Sequence, residues 1–438
     1  MAHVQNLGRI DEGDGDTGLS GDPLRRRQGA ATNETVDWIE GFLECTKNFP
    51  SPEIFRLWAA ISAVAGALER RVWLDSAEMP IYPNLYVLLV ATPGIGKNVI
   101  QTISNIWMDA RKFKTAPHSP TKASLVDALA DASTSLMHGD PPTLIEYHSL
   151  LVAAPEFGVL ISKHDLEFLS VLNFIYDNPP HYSERRRTVN EGKELVIVHP
   201  QLTILAGVQP GFLATTLPEE AWSMGTTSRL IMIHASERVK IKPKLKTVSG
   251  ENTGRKKTEL HLCKLVEQLA KLQALHGEFT WDHDAKESAE TWLHSDCIPI
   301  PIHSKLTHYI PRRWVHCMKL CMVASASRST DMRITLADFD RARDWLLAAE
   351  IKMPDIFREM YQKSDKELLQ DLHLGCWARY SKTKTAIDES EIYGFLSGKC
   401  TVEKIKWIIE AAERSKLIER MAGTKTWKPL VQQKTGIE

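Results

Sequence analysis

The chain has 438 residues, enough for two or three domains with a substantial core, and its 25% charged and 43% hydrophobic residues are typical of a globular protein. Its net charge of −1 excludes a general electrostatic attraction to nucleic acids, so such binding has to come from local patches. Seven scattered cysteines without a CxxC pair indicate reduced thiols, and neither a secretory signal nor a membrane span is visible. We therefore expect a cytoplasmic protein without a membrane partner.

The N-terminal part predicts a tail followed by helices. Residues 1–34 are rich in Gly, Asp and Arg and poor in large apolar residues, which predicts a disordered tail. Within it, Arg25–Arg27 is either a solvated charge run or a contact for nucleic acid. Helical spacing of apolar residues starts at Thr35 and is interrupted at Pro50-Ser51-Pro52. This pattern predicts an N-terminal helical subdomain over residues 35–83.

Residues 84–237 alternate short apolar runs with amphipathic segments, a pattern typical of a parallel sheet with helices on both faces. The predicted strands are Leu85–Ala91, Thr143–Glu146, Leu150–Ala154, Leu202–Gly207 and Leu230–His234. The predicted helices are Val99–Phe113, Thr121–Leu136, Leu166–Asp177 and Pro210–Thr216. The expected fold class of this core is therefore α/β.

The most informative stretch follows the first of these strands. Ala91 is followed by a spacer of four residues, by Gly96-Lys97 and then by a helical segment. This is the spacing of a phosphate-binding loop (P-loop), except that Asn98 stands where the pattern has Ser or Thr. The alternative is an ordinary glycine-rich turn between a strand and a helix. The predicted nucleotide-binding residues are Thr92, Pro93, Gly94, Ile95, Gly96, Lys97, Asn98 and Val99.

The residue types of this loop suit a triphosphate. Gly94 and Gly96 can adopt backbone angles that residues with a Cβ avoid, so successive N–H groups can turn toward an anion. The start of the following helix adds the positive end of its dipole. Lys97 would neutralise the β- and γ-phosphates, and the side-chain oxygen of Asn98 would replace the usual hydroxyl as a ligand of Mg²⁺. The predicted cofactors are therefore ATP and Mg²⁺.

A carboxylate follows another predicted strand. Leu150–Ala154 leads through Pro155 to Glu156, and ligands of open parallel sheets bind at the carboxyl ends of the strands. Glu156 is therefore a candidate general base and metal ligand, with a solvent-exposed strand-end carboxylate as the alternative. Pro155 occupies the preceding position, where nucleoside triphosphatases usually carry Asp.

Two further side chains complete the predicted catalytic set. Gln209 follows the penultimate predicted strand and is a candidate contact of the γ-phosphate or of the attacking water; otherwise its amide satisfies the backbone of a turn. Arg229 precedes the last strand, where it either acts on the nucleotide of a neighbouring subunit or pairs locally. The clusters Arg185–Arg187 and Arg312-Arg313 are open to three interpretations: a pore lining, a phosphate contact or a solvated face.

The C-terminal part is mostly helical in pattern. Residues 238–257 are predicted to form a polar linker and residues 258–361 a helical lid. Residues 362–438 match a winged-helix domain, with three helices followed by a short hairpin. The third helix carries Lys404 and Lys406, which suit the major groove of DNA, but also acidic residues that suit a protein partner.

Several short motifs follow one another in a recognisable order. They are Trp58–Ser62, Arg70–Val72, Tyr82–Tyr86, Gly96-Lys97, Pro155–Gly158, Ile175–Asp177, Gln209-Pro210 and Ser228–Leu230. In this order they resemble the P-loop ATPases of phage and prophage replication modules, a family of replicative helicases and primase-helicases. The resemblance covers residues 50–235 and, more weakly, the helical lid. It implies a RecA/AAA+-like core in which Lys97 is the phosphate lysine, Glu156 the catalytic carboxylate and Arg229 the arginine given to a neighbouring subunit.

The function that this resemblance implies is an ATP-driven DNA motor, above all a ring-forming replicative helicase in the cytoplasm of a bacterial or phage-infected cell. Its expected partners are single-stranded or forked DNA, further copies of the chain (a hexameric ring among the options) and a primase or other replication protein. A second interpretation is an ATP-gated, DNA-binding initiator or helicase loader with weak hydrolysis, which Asn98 and Pro155 favour. A phage packaging or defence ATPase is a third, without the carboxylate cluster of a nuclease to support it.

Overall fold

The computed structural model describes most of the chain beyond the predicted tail. The described residues are 37–76, 79–110, 112–117, 120–162, 165–186, 193–217, 222, 225–240, 253–360, 365–396, 400 and 402–430. The predicted tail with Arg25–Arg27, residues 241–252 of the predicted linker, and Arg187 lie outside these ranges. Within them, no helix combines the length and the apolar character that crossing a membrane requires.

Helices and strands alternate along the described chain. The helices are Trp38–Thr46 (α1), Glu53–Leu68 (α2), Val99–Asp109 (α3), Lys122–Ala130 (α4), Phe157–Leu160 (α5), Leu166–Tyr176 (α6), Pro210–Thr216 (α7), Thr226–Arg229 (α8), Thr253–Lys271 (α9), His283–His294 (α10), Arg313–Arg328 (α11), Leu336–Met360 (α12), Asp365–Thr383 (α13), Glu389–Leu396 (α14) and Val402–Arg414 (α15). The strands are Val72–Trp73 (β1), Tyr86–Val90 (β2), Ser133–His138 (β3), Thr143–Ala154 (β4), His181–Arg186 (β5), Lys193–Val198 (β6), Pro200–Val208 (β7), Leu230–His234 (β8), Gly277–Glu278 (β9), Thr280–Trp281 (β10), Arg333–Ile334 (β11), Ile387–Asp388 (β12), Ile418–Arg420 (β13) and Thr426–Pro429 (β14).

A five-stranded sheet with the order β3-β4-β7-β2-β8 forms the centre, and its strands are parallel except for β3. Every residue of β2 is buried, as expected for a strand covered on both faces. On one face the Tyr86 hydroxyl donates to the Leu172 carbonyl of α6 at 3.0 Å. Leu151 points to the other face, where Gly66 brings α2 so close that a Cβ there would lie 2.7 Å from Leu151. The fold is therefore α/β, with a mostly parallel sheet between helices.

The predicted strands of the core are present, but two of them form one continuous strand. One predicted helix of the core is wrong in its second half. The two predicted strands Thr143–Glu146 and Leu150–Ala154 form the single strand β4. The helix predicted over Thr121–Leu136 ends at Ala130, and β3 follows it. Ser and Thr residues have a low preference for helix interiors. Pairing with β4, in which Met137 lies opposite Leu144, therefore determines the conformation of this segment.

A second antiparallel hairpin, β5–β6, lies between α6 and β7, and the sequence analysis did not predict it. Arg185 lies on β5 opposite Glu194 of β6. Because β7 starts at Pro200, directly after β6, the pair His181–Val198 lies next to the amino end of β7, whereas Arg185 and Arg186 lie at the other end of the hairpin. The alternation of polar and apolar residues in these two strands is short, and only the folded chain shows that they pair with each other.

One continuous hydrophobic core joins the N-terminal helices, the sheet and the helices of the predicted lid, rather than a separate core for each of these regions. Helix α9 begins at Thr253, five residues before the predicted start of the lid at 258, so the end of the predicted linker is helical. A second core, which includes Leu368, Ile408 and Trp427, belongs to the C-terminal unit of α13, α14, α15 and the sheet β12-β14-β13.

A buried polar network ties α11 to the amino ends of β2 and β8. Nε2 of His316 donates to the Ser228 carbonyl (2.9 Å), and its Nδ1 accepts from the Tyr176 hydroxyl (3.2 Å). Nζ of Lys319 donates to the main-chain and side-chain oxygens of Asn84, at 3.0 and 2.8 Å. Burial lowers the pKa of His316 to about 3 and the pKa of Lys319 well below its usual value. The network therefore fixes α11 against the sheet.

Candidate functional site

The carboxyl ends of three adjacent parallel strands meet at one edge of the sheet. The last residues of β2 and β7, Val90 and Val208, are paired with each other, and β4 ends two residues short of this level. The segments that follow these strands carry the P-loop pattern, Gln209 and Glu156, respectively. The structure thus brings three of the predicted groups to the edge where parallel sheets bind ligands.

The loop between β2 and α3 has a backbone that only glycine adopts easily. Gly94 has a φ of +85° and Gly96 a φ of +95°, both in the left-handed region. A Cβ at Gly94 would meet no atom within 4 Å, whereas a Cβ at Gly96 would lie 2.2 Å from the Pro50 carbonyl oxygen. Helix α3 begins at Val99, so its positive end adjoins the loop. These features fit a phosphate site.

The remaining loop residues divide into an exposed rim and a buried anchor. Thr92 and Pro93 are exposed together with Gly94. Ile95 and Val99 are buried in the main core and hold both ends of the glycine segment in place. The exposed rim carries two main-chain N–H groups, those of Thr92 and Gly94, since Pro93 has none.

Lys97 lies between the ends of two strands. Its Nζ donates to the main-chain carbonyls of Ala91 (2.9 Å) and Val208 (3.1 Å). Burial lowers the pKa of the Lys97 ammonium, while the negative charge of Glu156 opposes that shift. Lys97 and Glu156 are therefore within electrostatic reach of each other.

Gly207, which the sequence did not single out, provides the space for the Pro155 carbonyl beside Lys97. A Cβ at Gly207 would lie 2.4 Å from the Pro155 carbonyl oxygen, 3.1 Å from Ile100 and 3.4 Å from Cδ of Lys97. The available signal was a glycine next to the last residue of a strand, which commonly marks a close approach of another backbone or of a ligand.

Glu156 and Gln209 both precede short helices without capping them. Glu156 is exposed before α5, and its side chain makes no capping hydrogen bond. Gln209 lies before α7, and its side chain makes none either. Helix capping therefore explains neither residue.

Asn98 contacts a turn that is distant in sequence. The hydroxyl of Ser51, between α1 and α2, donates to Oδ1 of Asn98 at 3.2 Å and also to the Gly96 carbonyl. Ser51 is 1% exposed, whereas Asn98 is exposed. The sequence analysis treated Pro50-Ser51-Pro52 only as a helix break, and no local pattern indicates that this turn reaches the loop.

The predicted magnesium ligands fit a cation that accompanies a nucleotide. Among the residues that the structure describes, no group of three or more His, Cys, Asp and Glu side chains is arranged to hold a metal ion. Oδ1 of Asn98 and the carboxylate of Glu156 are hard oxygen donors at the same edge of the sheet. Mg²⁺ commonly takes one or two protein ligands and completes its shell with phosphate and water. These two residues suit that arrangement.

Arg229 lies at the opposite edge of the sheet. Leu230 is paired with Tyr86, the first residue of β2, so about 20 Å of strand separates Arg229 from the loop. Its guanidinium donates to the Gly225 carbonyl at 2.7 Å and pairs with Asp177, and 13% of the side chain is exposed. Arg229 therefore cannot reach a nucleotide bound to its own subunit.

Asp177 is shared by two arginines. Arg312 donates to Oδ1 of Asp177 at 2.7 Å, while Arg229 binds Oδ2. Burial alone would raise the pKa of Asp177, but the two guanidinium groups bring it below its usual value. Arg313, in contrast, is fully buried and pairs with Glu350 at 2.7 Å. The buried position of Arg313 contradicts a pore, phosphate or solvated role for that residue.

The site thus consists of a glycine-containing loop, Lys97, Glu156 and Gln209 at one edge of the sheet, with Arg229 at the other. These residues combine a loop with two positive-φ glycines, a cation, a carboxylate and an amide. No protein-family model matches the chain, and no curated protein sequence is significantly similar to it.

Proposed function

We propose that this protein is an ATP-dependent DNA motor of the phage type, a ring-forming replicative helicase in the cytoplasm of a bacterial or phage-infected cell. The observation that carries the proposal is the loop with Lys97 between β2 and α3, on the same sheet edge as Glu156. A phosphate lysine and a nearby carboxylate are the two groups that nucleoside triphosphate hydrolysis needs most.

The residues of the edge have complementary roles in this proposal. The loop 92–99 holds the triphosphate of ATP through its N–H groups, and Lys97 exchanges its two carbonyl partners for phosphate oxygens. Glu156 accepts a proton from the attacking water, which Gln209 orients. Asn98 and Glu156 would hold Mg²⁺, which neutralises phosphate charge when bound.

The position of Arg229 supports an oligomer. Since this guanidinium lies at the far edge of the sheet, it can stabilise transition-state charge only at the site of a neighbouring copy. In that copy it would have to leave Asp177, to which Arg312 would remain paired. A closed ring, with six copies as one option, gives every site such a neighbour.

The C-terminal unit supports contact with DNA. Three helices and a three-stranded sheet around their own core are compatible with a winged-helix domain. On α15, Lys404 pairs with Asp365 at 3.0 Å, whereas Lys406 is exposed and Trp407 is 49% exposed. A cation beside an exposed ring suits single-stranded or forked DNA through charge and stacking. Exposed Glu410 on the same helix leaves a primase or another replication protein as a possible partner.

A second function, an ATP-gated initiator or helicase loader with weak hydrolysis, is favoured by one specific observation. Arg229, the candidate arginine finger, forms an ion pair with Asp177 and a hydrogen bond to the Gly225 carbonyl within its own chain. An arginine held in this way activates hydrolysis only after a rearrangement. Strand displacement on forked DNA separates the two functions, since a loader binds DNA in the presence of ATP without unwinding it.

The proposal is tested by calorimetry and by ATPase assays of Lys97→Ala. The wild-type protein should bind MgATP, and the variant should lose at least about tenfold in affinity because the phosphate charge is no longer neutralised. Single-stranded DNA should stimulate hydrolysis, and forked DNA should be unwound. Lys286→Ala, at an exposed lysine of α10, is the matched control and should change neither property. Binding that is absent, or unaffected by Lys97→Ala, would rule out both functions.

A further inference from the structure

We propose that an apolar segment between α10 and α11 is a docking surface for a second copy of this chain, namely the copy whose nucleotide site receives Arg229. The segment comprises residues 297–302 and has the sequence Cys-Ile-Pro-Ile-Pro-Ile. The inference rests on the proposed function and deepens it, because it names the part of the molecule that holds the neighbouring copy in place.

The segment exposes a large amount of aliphatic side chain. Ile298 is 58% exposed and Ile300 is 37% exposed. Ile302 is 91% exposed, the largest fraction of any large hydrophobic residue in the described part of the chain. Isoleucine is one of the residues most often found inside proteins, and an exposed apolar patch commonly marks an interaction site. Three exposed isoleucines within five positions therefore indicate a surface that a partner covers.

The main chain of the segment is held from inside the protein. The guanidinium of Arg313 donates to the carbonyls of Cys297 and Pro299, at 2.5 and 2.8 Å. Nε1 of Trp292 donates to the Ile298 carbonyl at 2.9 Å. Both donor residues are buried, so three successive carbonyls are fixed on the inner side while the isoleucine side chains remain exposed. A surface that is ordered in advance loses little conformational freedom when a partner binds.

The chemistry of the segment favours a protein partner that packs against side chains. None of its six residues is charged, so the segment offers no cation to the phosphates of DNA. Pro299 and Pro301 have no N–H group, and three carbonyls are already bonded, so the segment is unsuited to pairing with an added β-strand. The expected contact is therefore the packing of apolar side chains against another apolar surface.

A chain of buried contacts joins the segment to the residue before the candidate arginine finger. Arg313, which holds the segment, pairs with Glu350 at 2.7 Å, and Glu350 accepts from the Tyr309 hydroxyl at 2.9 Å. The ring of Tyr309 stacks on His316 with 5.4 Å between the centroids, and Nε2 of His316 donates to the Ser228 carbonyl at 2.9 Å. The apolar segment and the finger therefore belong to one buried network.

This connection identifies the occupant as a second copy. In the proposed ring Arg229 acts at the site of a neighbouring copy, so that copy has to be held beside the finger. Exposed charge pairs contribute little to such a contact, whereas buried apolar side chains contribute much of the free energy of association. A contact in a ring joins two different surfaces of the chain. The carboxyl edge offers an apolar one in Val159, which is 46% exposed and lies on α5, directly after Glu156.

The experiment measures self-association of the full-length protein by sedimentation velocity, once alone and once with MgADP. The wild-type protein should form oligomers, and Ile302→Asp should raise the dissociation constant at least about tenfold, because a carboxylate in an apolar contact lacks a partner. Since Ile302 is 91% exposed, the substitution should leave the fold intact. Ile302→Leu keeps an apolar side chain and should retain the wild-type constant within about twofold.

ATPase assays connect this surface with the finger. Because Arg229 acts only across the contact, the rate per chain should rise with protein concentration. Ile302→Asp should shift the half-maximal concentration upward by the same factor as the dissociation constant, while the rate at saturation stays within about twofold of the wild type. A change in association without this shift in activity would place the segment in a different contact and overturn the inference.

The matched control is Leu374→Asp on α13, where a leucine is 66% exposed outside the main core, and it should change neither measurement. The inference is wrong if the wild-type protein sediments as a monomer under both conditions, or if Ile302→Asp associates as strongly as the wild type. An oligomer that depends on Ile302 but binds no MgATP would leave the contact between copies in place and remove the proposed function, so the two failures are distinguishable.

Discussion

Lys97 is held by the carbonyl groups at the ends of two strands, next to Gly207, where a side chain would meet the Pro155 carbonyl. A partly buried ammonium is costly unless its donors are satisfied, and the carbonyls of Ala91 and Val208 satisfy two of them. These carbonyls end two neighbouring strands, so the sheet itself positions the ammonium. The lysine is thereby placed at the loop before any ligand arrives, which lowers the cost of binding.

Gly207→Ala should impair both stability and nucleotide binding. The new Cβ would lie 2.4 Å from the Pro155 carbonyl oxygen, a backbone atom that cannot rotate away, and 3.4 Å from Cδ of Lys97. We expect a loss of about 1–3 kcal/mol in the free energy of unfolding, as for other overpacked sites. The affinity for ADP should fall because the Pro155 carbonyl beside Lys97 is displaced. Urea unfolding and calorimetry measure the two effects.

The matched control is Gly211→Ala in α7. A Cβ at Gly211 meets no atom within 4 Å, and alanine favours a helix by about 0.5–1 kcal/mol over glycine. The control should therefore keep or increase stability. Similar destabilisation by both substitutions would contradict the packing argument for Gly207.

At the scale of elements, the buried face of α11 decides how the helical block is attached to the sheet. His316 and Lys319 lie one turn apart on this helix and reach Ser228 and Asn84, at the amino ends of β8 and β2. Both groups are fully buried, and burial lowers the pKa of each. The attachment through His316 should weaken when a proton is forced onto its imidazole.

His316 should make the protein sensitive to acid. Its pKa in the folded protein is about 3, below the ordinary 6.5, so between these values the unfolded chain binds a proton that the folded protein does not bind. The free energy of unfolding should therefore decrease as the pH falls below 6.5, by up to about 1.4 kcal/mol per unit, and level off near pH 3. Urea unfolding at several pH values between 7.5 and 4.5 measures this slope.

His316→Gln should flatten that slope, because an amide can still donate to the Ser228 carbonyl but does not titrate. His283→Gln, at an exposed position of α10, is the control and should leave the slope as it is. An unchanged slope in His316→Gln would show that other groups determine the acid sensitivity.

Elements with a strong local signal were predictable, and those that depend on distant pairing were not. The continuous apolar run of β2 and the pattern of α7 led to accurate bounds. The hairpin β5–β6 and the strand β3 consist of polar or mixed residues whose conformation follows from their partners. Single-chain patterns carry no information about those partners.

At the scale of the whole molecule, the two edges of the sheet divide the proposed site between copies of the chain. Lys97 and Glu156 lie at the carboxyl edge, and Arg229 lies at the amino edge. Because a single chain cannot bring these groups together, the proposed hydrolysis requires a neighbour that presents its amino edge. Activity should therefore depend on protein concentration.

Mixing two inactive variants tests this requirement. Arg229→Ala alone should lower the rate of ATP hydrolysis about a thousandfold, as expected for the loss of an arginine finger, and Lys97→Ala should abolish it. In an equal mixture, about one quarter of the interfaces pair an intact Lys97 with an intact Arg229, since each variant fills half of the positions. ATPase assays should show a corresponding partial recovery.

The control is an equal mixture of the single variants Lys97→Ala and Glu156→Ala. The two lost groups belong to the same site of one chain, so the variants cannot complement each other. Recovery in this control, or its absence in the first mixture, would argue against the trans arrangement. Arg229 would then have the local role that its bond to Asp177 already provides.

The sequence by itself determined the phosphate-loop pattern around Lys97, the α/β alternation and the strand that leads to Glu156, because each follows from residues adjacent in the chain. Only the tertiary structure decided that Ser51 meets Asn98, that Gly207 makes room for the Pro155 carbonyl and that Arg229 lies on the opposite edge. Local conformation depends on spacing and backbone preference, which a sequence displays. Contacts between distant segments depend on strand order and helix packing, which arise only when the chain buries its apolar surface.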